Sequence, residues 1–202
     1  MTIKQIILAS KSSVRKNLLS NSGIEFKVIC SDYDEKNLQD KYFNKNCSID
    51  DVKYLTEELS SQKALDVSKT HKESLVIGCD QILYFNNKIM LKPKNIEESR
   101  EQLRQLRGNT HKLITTTLCM LNKKKVWSHI SEQNMKMRIF SDNYIDWYIS
   151  RLGNNILSIV GGYEIEGLGI NLFDEIGDDI FSIQGISVLH LLSYLREMEY
   201  LT

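Results

Sequence analysis

Short, unbroken apolar runs separated by helix-period stretches set the reading of this chain. Ile6-Ile7-Leu8-Ala9 and Phe26-Lys27-Val28-Ile29 each lie between turn signals and read as strands. Leu75 to Phe85 reads as a buried strand, a break at Gly78, a lone carboxylate at Asp80 and a second apolar run, with Leu91-Lys92-Pro93 close behind. Such a run suits a strand covered on both faces, although periodicity alone does not exclude a helix. Between these runs the period changes. Val14, Leu18 and Leu19 follow a serine-rich turn, Ser10 to Lys16, at amphipathic-helix spacing. Ser48 or Asp50 starts a helix through about Ser68, with Val52, Leu55, Leu59 and Val67 on its apolar stripe and Ala64 beside it. Stepping by four along that helix gives Leu55, Leu59, Lys63 and Val67, so Lys63 falls on the inward face.

The second half continues with an Asn95-capped helix carrying Ile96, Ser99, Leu103 and Leu106 inward and ending at Gly108. Ile114 to Leu121 and Val126 to Phe140 read as two strands of a hairpin turning at Asn122-Lys123-Lys124. Ser141-Asp142 caps a helix containing Ile145, Trp147 and Tyr148, and Gly185-Ile186-Ser187 leads into a last helix from Val188 to about Met198. Strands alternating with helical patterns in the first half predict an α/β fold.

Composition narrows the class more than the chemistry. The 202 residues, 42% hydrophobic and 26% charged, predict one domain spanning 1–202. Lys and Arg balance Asp and Glu, 26 against 26, which argues against a general nucleic-acid or anionic-membrane surface. No run approaches a membrane span and the start does not read as a signal peptide, so the expectation is a cytoplasmic protein. Cys30, Cys47, Cys79 and Cys119 form no CxxC pair, and the four histidines, at 71, 111, 129 and 190, show no ligand spacing; reduced thiols are expected.

Several positions carry candidate chemistry, each with a plainer counterpart. Asp80 is either a paired or metal-bound carboxylate or a turn aspartate at a strand end. Ser10, Ser12, Arg15 and Lys16 at a helix N-terminus either hold a phosphate or form a serine cap with solvated basic residues. Asp32, Asp34 and Glu35 either bind a hard cation or make a solvated acidic loop. Lys63 either snorkels or reaches an anion in a cleft. The polar stretch from Lys36 to Ser48 reads as a mobile excursion. The glycines of Val160-Gly161-Gly162-Tyr163 and Ile165-Glu166-Gly167-Leu168-Gly169 mark either a ligand-lined loop or an irregular connection.

Taken together in order, Leu8-Ala9-Ser10-Lys11-Ser12-Ser13-Val14-Arg15, Asp34-Glu35, Gln62-Lys63-Ala64, Ile77-Gly78-Cys79-Asp80 through Lys92-Pro93, Arg107-Gly108-Asn109-Thr110-His111 and Gly161-Gly162-Tyr163-Glu164-Ile165-Glu166-Gly167 resemble the Maf family, also called septum-formation-like proteins. The resemblance runs from Ile6 to Arg196. It implies a mixed, twisted sheet flanked by helices, with two lobes around a nucleotide-binding cleft. It also implies a nucleoside triphosphate pyrophosphatase, cutting between the α and β phosphates in house-cleaning of the nucleotide pool. By resemblance, Asp80 is the proton acceptor, Glu35 and Asp80 hold Mg²⁺ or Mn²⁺, and Lys63 and Lys92 neutralise phosphate oxygens. Ser10 and Arg15 hold the outer phosphates, and a homodimer is compatible with the family.

The sequence also departs from the family pattern. Ser13-Val14-Arg15 stands where the family carries the Pro-Arg-Arg portion of Ser-Pro-Arg-Arg, placing Val14 at a position tied to substrate preference, and Leu91 replaces a glycine. Asp80-Gln81 and Ile165-Glu166-Gly167 resemble the branch acting on 7-methyl-GTP, which assigns Glu166, assisted by Gln81, to the base. A catalytically weak nucleotide-binding regulator of cell division on the same fold is the alternative. A pure interaction protein would need an exposed apolar patch or a partner helix, and no stretch of this sequence advertises one.

Overall fold

The computed structural model describes residues 5–40, 42 and 45–201. In chain order the elements are β1 (Ile6–Leu8), α1 (Ser13–Asn21), β2 (Phe26–Val28), α2 (Lys36–Gln39), α3 (Ile49–Ser68), β3 (Leu75–Phe85), β4 (Lys88–Met90), α4 (Ile96–Leu106), β5 (Thr110–Leu121), β6 (Lys124–Met137), α5 (Asp142–Leu152), β7 (Phe173–Glu175), α6 (Ile180–Ile183) and α7 (Val188–Glu197). Of the polar stretch 36–48, residues 41, 43 and 44 lie outside the described residues, and Lys36–Gln39 forms one short helical turn.

The local signals hold at the helix starts. Ser48 caps α3 in a reciprocal capping box with Asp51, and Asn95 and Ser141 accept from Glu98 N and Tyr144 N. Each such cap stabilises its helix by about 1 kcal/mol. The hairpin extends further than its apolar pattern suggests. β5 begins at Thr110, not Ile114, and β6 runs Lys124–Met137 rather than 126–140. The turn between them is only Asn122-Lys123, both at positive φ (49° and 64°), the conformation whose twist matches a tight hairpin.

The described strands form one seven-stranded mixed sheet in the order β2-β1-β3-β5-β6-β7, with β4 also paired to β3. β1 runs parallel to β2 and β3, and the remaining pairs are antiparallel. Helices cover both faces. Leu19 of α1 and Leu191 and Leu195 of α7 pack on Ile77 and Cys79, while α3 lays Leu55, Leu59 and Ala64 over Val76, Ile82, Ile114 and Leu118. A separate core around Leu83, Leu103, Met135, Tyr148 and Ile149 holds α4 and α5 at the far end of the sheet. These two ends are the lobes, and a cleft opens between them.

Two expectations for β3 are corrected. There is no break at Gly78, because β3 pairs with β5 without interruption from Val76 to Tyr84. Glycine is required there for a different reason: a Cβ would press into Ser60 O and stand 2.9 Å from the Ala64 Cβ, so its absence lets α3 approach the sheet. Nor is Asp80 a turn aspartate at a strand end. It lies mid-strand and is 8% exposed.

Candidate active site

The sheet topology explains why chemistry collects at Asp80. β1 accompanies β3 only as far as Ile77, and β4 joins the same side only from Leu83. From Gly78 to Ile82 that side of β3 has no strand beside it. The serine turn after β1 fills the space. Arg15 donates from Nη1 to Cys79 O at 2.9 Å and lies 3.5 Å from Ser10 Oγ. Gly185, at φ 98°, leaves room for that guanidinium, since a Cβ there would lie 3.0 Å from Arg15 Nε.

On the α3 face of the gap, Lys63 Nζ donates to Asp80 Oδ1 at 2.6 Å and pairs with Glu35 Oε1 at 3.0 Å. Gly78 and Ala64 let the helix close enough for a lysine one turn from Ser60 to reach the strand. Burial pushes the Asp80 carboxyl above the usual carboxylate range, with Lys63 and Arg15 pulling it back. Burial alone would lower the Lys63 ammonium, but Asp80 and Glu35 outweigh it and raise its pKa. Of the acidic loop, Glu35 faces this lysine. Asp32 is exposed and offers its backbone N–H to Asp66, and Asp34 is exposed and caps Lys36 N. The expected three-carboxylate cluster is therefore a single inward carboxylate on a tethered loop. Asp66, three residues beyond Lys63 on α3, does the tethering by accepting from Ser31 Oγ and Asp32 N at 3.1 and 3.0 Å.

Ser10, Ser12, Val14, Arg15, Glu35, Lys63, Asp80, Gln81, Lys92 and Glu166 line one cleft of about 910 Å³, whereas the other candidates, Lys16, Asp32 and Asp34, do not line it. Lys92 and Glu166 are exposed, and neither makes an ion pair with another described residue. Gln81 is more committed than its sequence position suggests. Its amide nitrogen donates to Thr115 Oγ1, Ser182 O and Ile183 O at 2.9 to 3.0 Å, tying β3 to α6. Only its carbonyl oxygen remains for a ligand, so any help to Glu166 is as an acceptor.

Glu164, two residues before Glu166, also lines the cleft, and burial followed by the Glu166 charge raises its pKa. Sequence reasoning passed over it, although the i, i+2 carboxylates of Glu164-Ile165-Glu166 were visible. Asp66 had a comparable signal in its i, i+3 spacing from Lys63.

Two carboxylates that both turn to the Lys63 ammonium already converge on one positive charge. Among the described residues no group of three or more His, Cys, Asp or Glu can hold a metal ion. That donor set fits Mg²⁺ or Mn²⁺ completed by substrate oxygens rather than an all-protein cage.

The family model described as Maf-like protein matches residues 5–198. The chain belongs to the Maf family. A Brucella abortus biovar 1 (strain 9-941) protein described as 7-methyl-GTP pyrophosphatase is 40% identical over 196 residues, covering 97% of this chain and 96% of its own length. A Rhizobium meliloti (strain 1021) protein of the same description is 38% identical, covering 96% of each chain. A Rhodospirillum rubrum protein described as nucleoside triphosphate pyrophosphatase is 36% identical, covering 96% of this Maf chain and 95% of its own. No helix of the described residues is long and apolar enough to cross a membrane.

Proposed function

We propose that this Maf chain hydrolyses the α–β phosphoanhydride of nucleoside triphosphates, giving a nucleoside monophosphate and pyrophosphate, and that a 7-methylated or related purine nucleotide is its preferred substrate. The observation that carries this reading is the convergence of Lys63, Asp80 and Glu35 in the gap beside β3, next to the serine turn and Arg15. Water attack on a phosphorus needs positioning and charge neutralisation more than covalent chemistry. Lys63, Arg15 and Lys92 supply positive charge to the phosphate oxygens. Ser10 and the first amides of α1, capped by Ser12, hold the outer phosphates. Glu35 and Asp80 would hold Mg²⁺ or Mn²⁺, which when bound adds charge neutralisation and makes water easier to deprotonate. Asp80 accepts the proton of the attacking water, a role its burial-raised pKa favours.

For the base, Glu166 accepts from the adjacent N1–H and N2 amino groups of a guanine, and 7-methylation adds a positive charge that Glu166 and Glu164 both favour. Val14 offers no aromatic platform, so charge rather than stacking sets the preference. The reading includes a cytoplasmic enzyme, one domain over 1–202, acting on free nucleotides. Its test is kcat/KM on 7-methyl-GTP, GTP, UTP and dTTP for wild type and Glu166→Gln. The expected result is a wild-type preference for 7-methyl-GTP that narrows about tenfold in the variant. A wild type that prefers the pyrimidines, or a ranking unmoved by the substitution, removes Glu166 from the base site.

A further inference from the structure

The three threonines of β5 at 115, 116 and 117 divide between the two faces of the sheet. Thr115 Oγ1 donates to Ser182 O at 2.8 Å, and Thr117 Oγ1 accepts from Ser187 N at 2.9 Å, both anchoring the segment around α6. Thr116 faces the other way, under α3, on the same side as Ile114 and Leu118. It is 0% exposed, and its hydroxyl has no hydrogen-bond partner among the described residues. A buried hydroxyl without a partner is a net cost that a valine of the same shape would not carry.

Its position supplies a partner. The antiparallel register sets Thr116 directly opposite Asp80. Side chains of such pairs lie on one face, with Cβ atoms about 5 Å apart. Among the described residues the Asp80 carboxylate accepts one hydrogen bond, from Lys63, and Lys63 is already shared with Glu35. An ammonium has only three N–H groups. Once triphosphate oxygens compete for them, Asp80 loses part of the contact that orients it.

We infer that Thr116 is a positioning residue for Asp80: its hydroxyl donates to the carboxylate and keeps it aimed while Lys63 turns to the phosphates. The threonine backbone is fixed in the sheet, so the hydroxyl reaches the carboxylate by rotation of its own side chain. The inference rests on the reading of the cleft as a triphosphate site.

The test compares wild type, Thr116→Val and Thr116→Ser by thermal melting and by steady-state pyrophosphate release from the best wild-type substrate. A positioning role and a packing role predict opposite results. Positioning predicts that Thr116→Val melts at or above the wild-type temperature yet loses about tenfold in kcat, with KM within about twofold, as for one hydrogen bond to an ionised group. It also predicts that Thr116→Ser, which keeps the hydroxyl, recovers kcat to within about threefold of wild type. Unchanged kcat in Thr116→Val overturns the inference. So does a kcat loss that follows a lowered melting temperature and is not recovered by serine. If wild type itself releases no pyrophosphate from any triphosphate, the functional reading has failed first, and the role assigned to Thr116 falls with it.

Discussion

Replacing Gly78 with alanine should damage stability and catalysis together, because one close contact supports both. The new Cβ would press into Ser60 O and meet the Ala64 Cβ at 2.9 Å, so a strand bonded to β5 along its length cannot absorb it and α3 must move. Restoring ordinary contact takes a retreat of roughly 1 Å, and overpacking of this kind costs about 2–3 kcal/mol. For a chain of this size that lowers the melting temperature by about 5–10 °C. The same retreat carries Lys63 away from Asp80, stretching their 2.6 Å contact to the limit of hydrogen-bond range. A misplacement on that scale lowers kcat/KM by about a hundredfold. Thermal melting and pyrophosphate release on Gly78→Ala measure both effects. Gly23→Ala is the control, with nothing within 4 Å of its Cβ and only a φ of 76° to strain it. It should lose about 1 kcal/mol and keep its turnover. A Gly78→Ala protein that melts and turns over like wild type refutes the argument, and one that melts low but turns over normally refutes the link from Gly78 to Lys63.

Asp66→Ala frees Ser31 and Asp32, so the loop bearing Glu35 loosens; the Mg²⁺ concentration for half-maximal activity should rise about tenfold, and an unchanged cation requirement would separate the tether from the site. Lys92→Ala, which removes an exposed cation of the cleft, should raise KM and lower kcat with no change in melting, and intact kinetics would remove Lys92 from phosphate binding. His111 is 1% exposed beside Tyr163, and burial depresses its pKa from 6.5 to about 3. The unfolded chain therefore binds a proton that the folded chain refuses: the contribution is full above pH 6.5 and declines as pH falls toward 3. Between about pH 7.5 and pH 5 the loss should be about 2 kcal/mol by denaturant unfolding, and a His111→Asn protein with the same pH slope would show that His111 is not its source.

What could be read in advance divides along the range of the interactions. The caps at Ser48, Asn95 and Ser141 and the inward Lys63 follow from neighbours within four residues, and the structure keeps them. The role of Gly78 did not follow, because the atoms that demand glycine belong to α3, eighteen residues earlier at Ser60. The open side of β3 was equally invisible, since it depends on where β1 stops and β4 begins in the assembled sheet. Gln81 looked available for a ligand until α6, a hundred residues later, claimed its amide. Asp32, Asp34 and Glu35 looked equivalent, and only the Asp66 tether decides which of them faces the cleft.

The Lys63–Asp80–Glu35 cluster is proposed to cut a triphosphate between its α and β phosphates. Product analysis of wild type against Asp80→Asn, a substitution that keeps size and removes charge, tests it most directly. Wild type should release one pyrophosphate per nucleoside monophosphate, and Asp80→Asn should retain its fold while losing at least about a hundredfold in rate. Orthophosphate and nucleoside diphosphate as the products, or a folded Asp80→Asn enzyme with near-normal turnover, would contradict it.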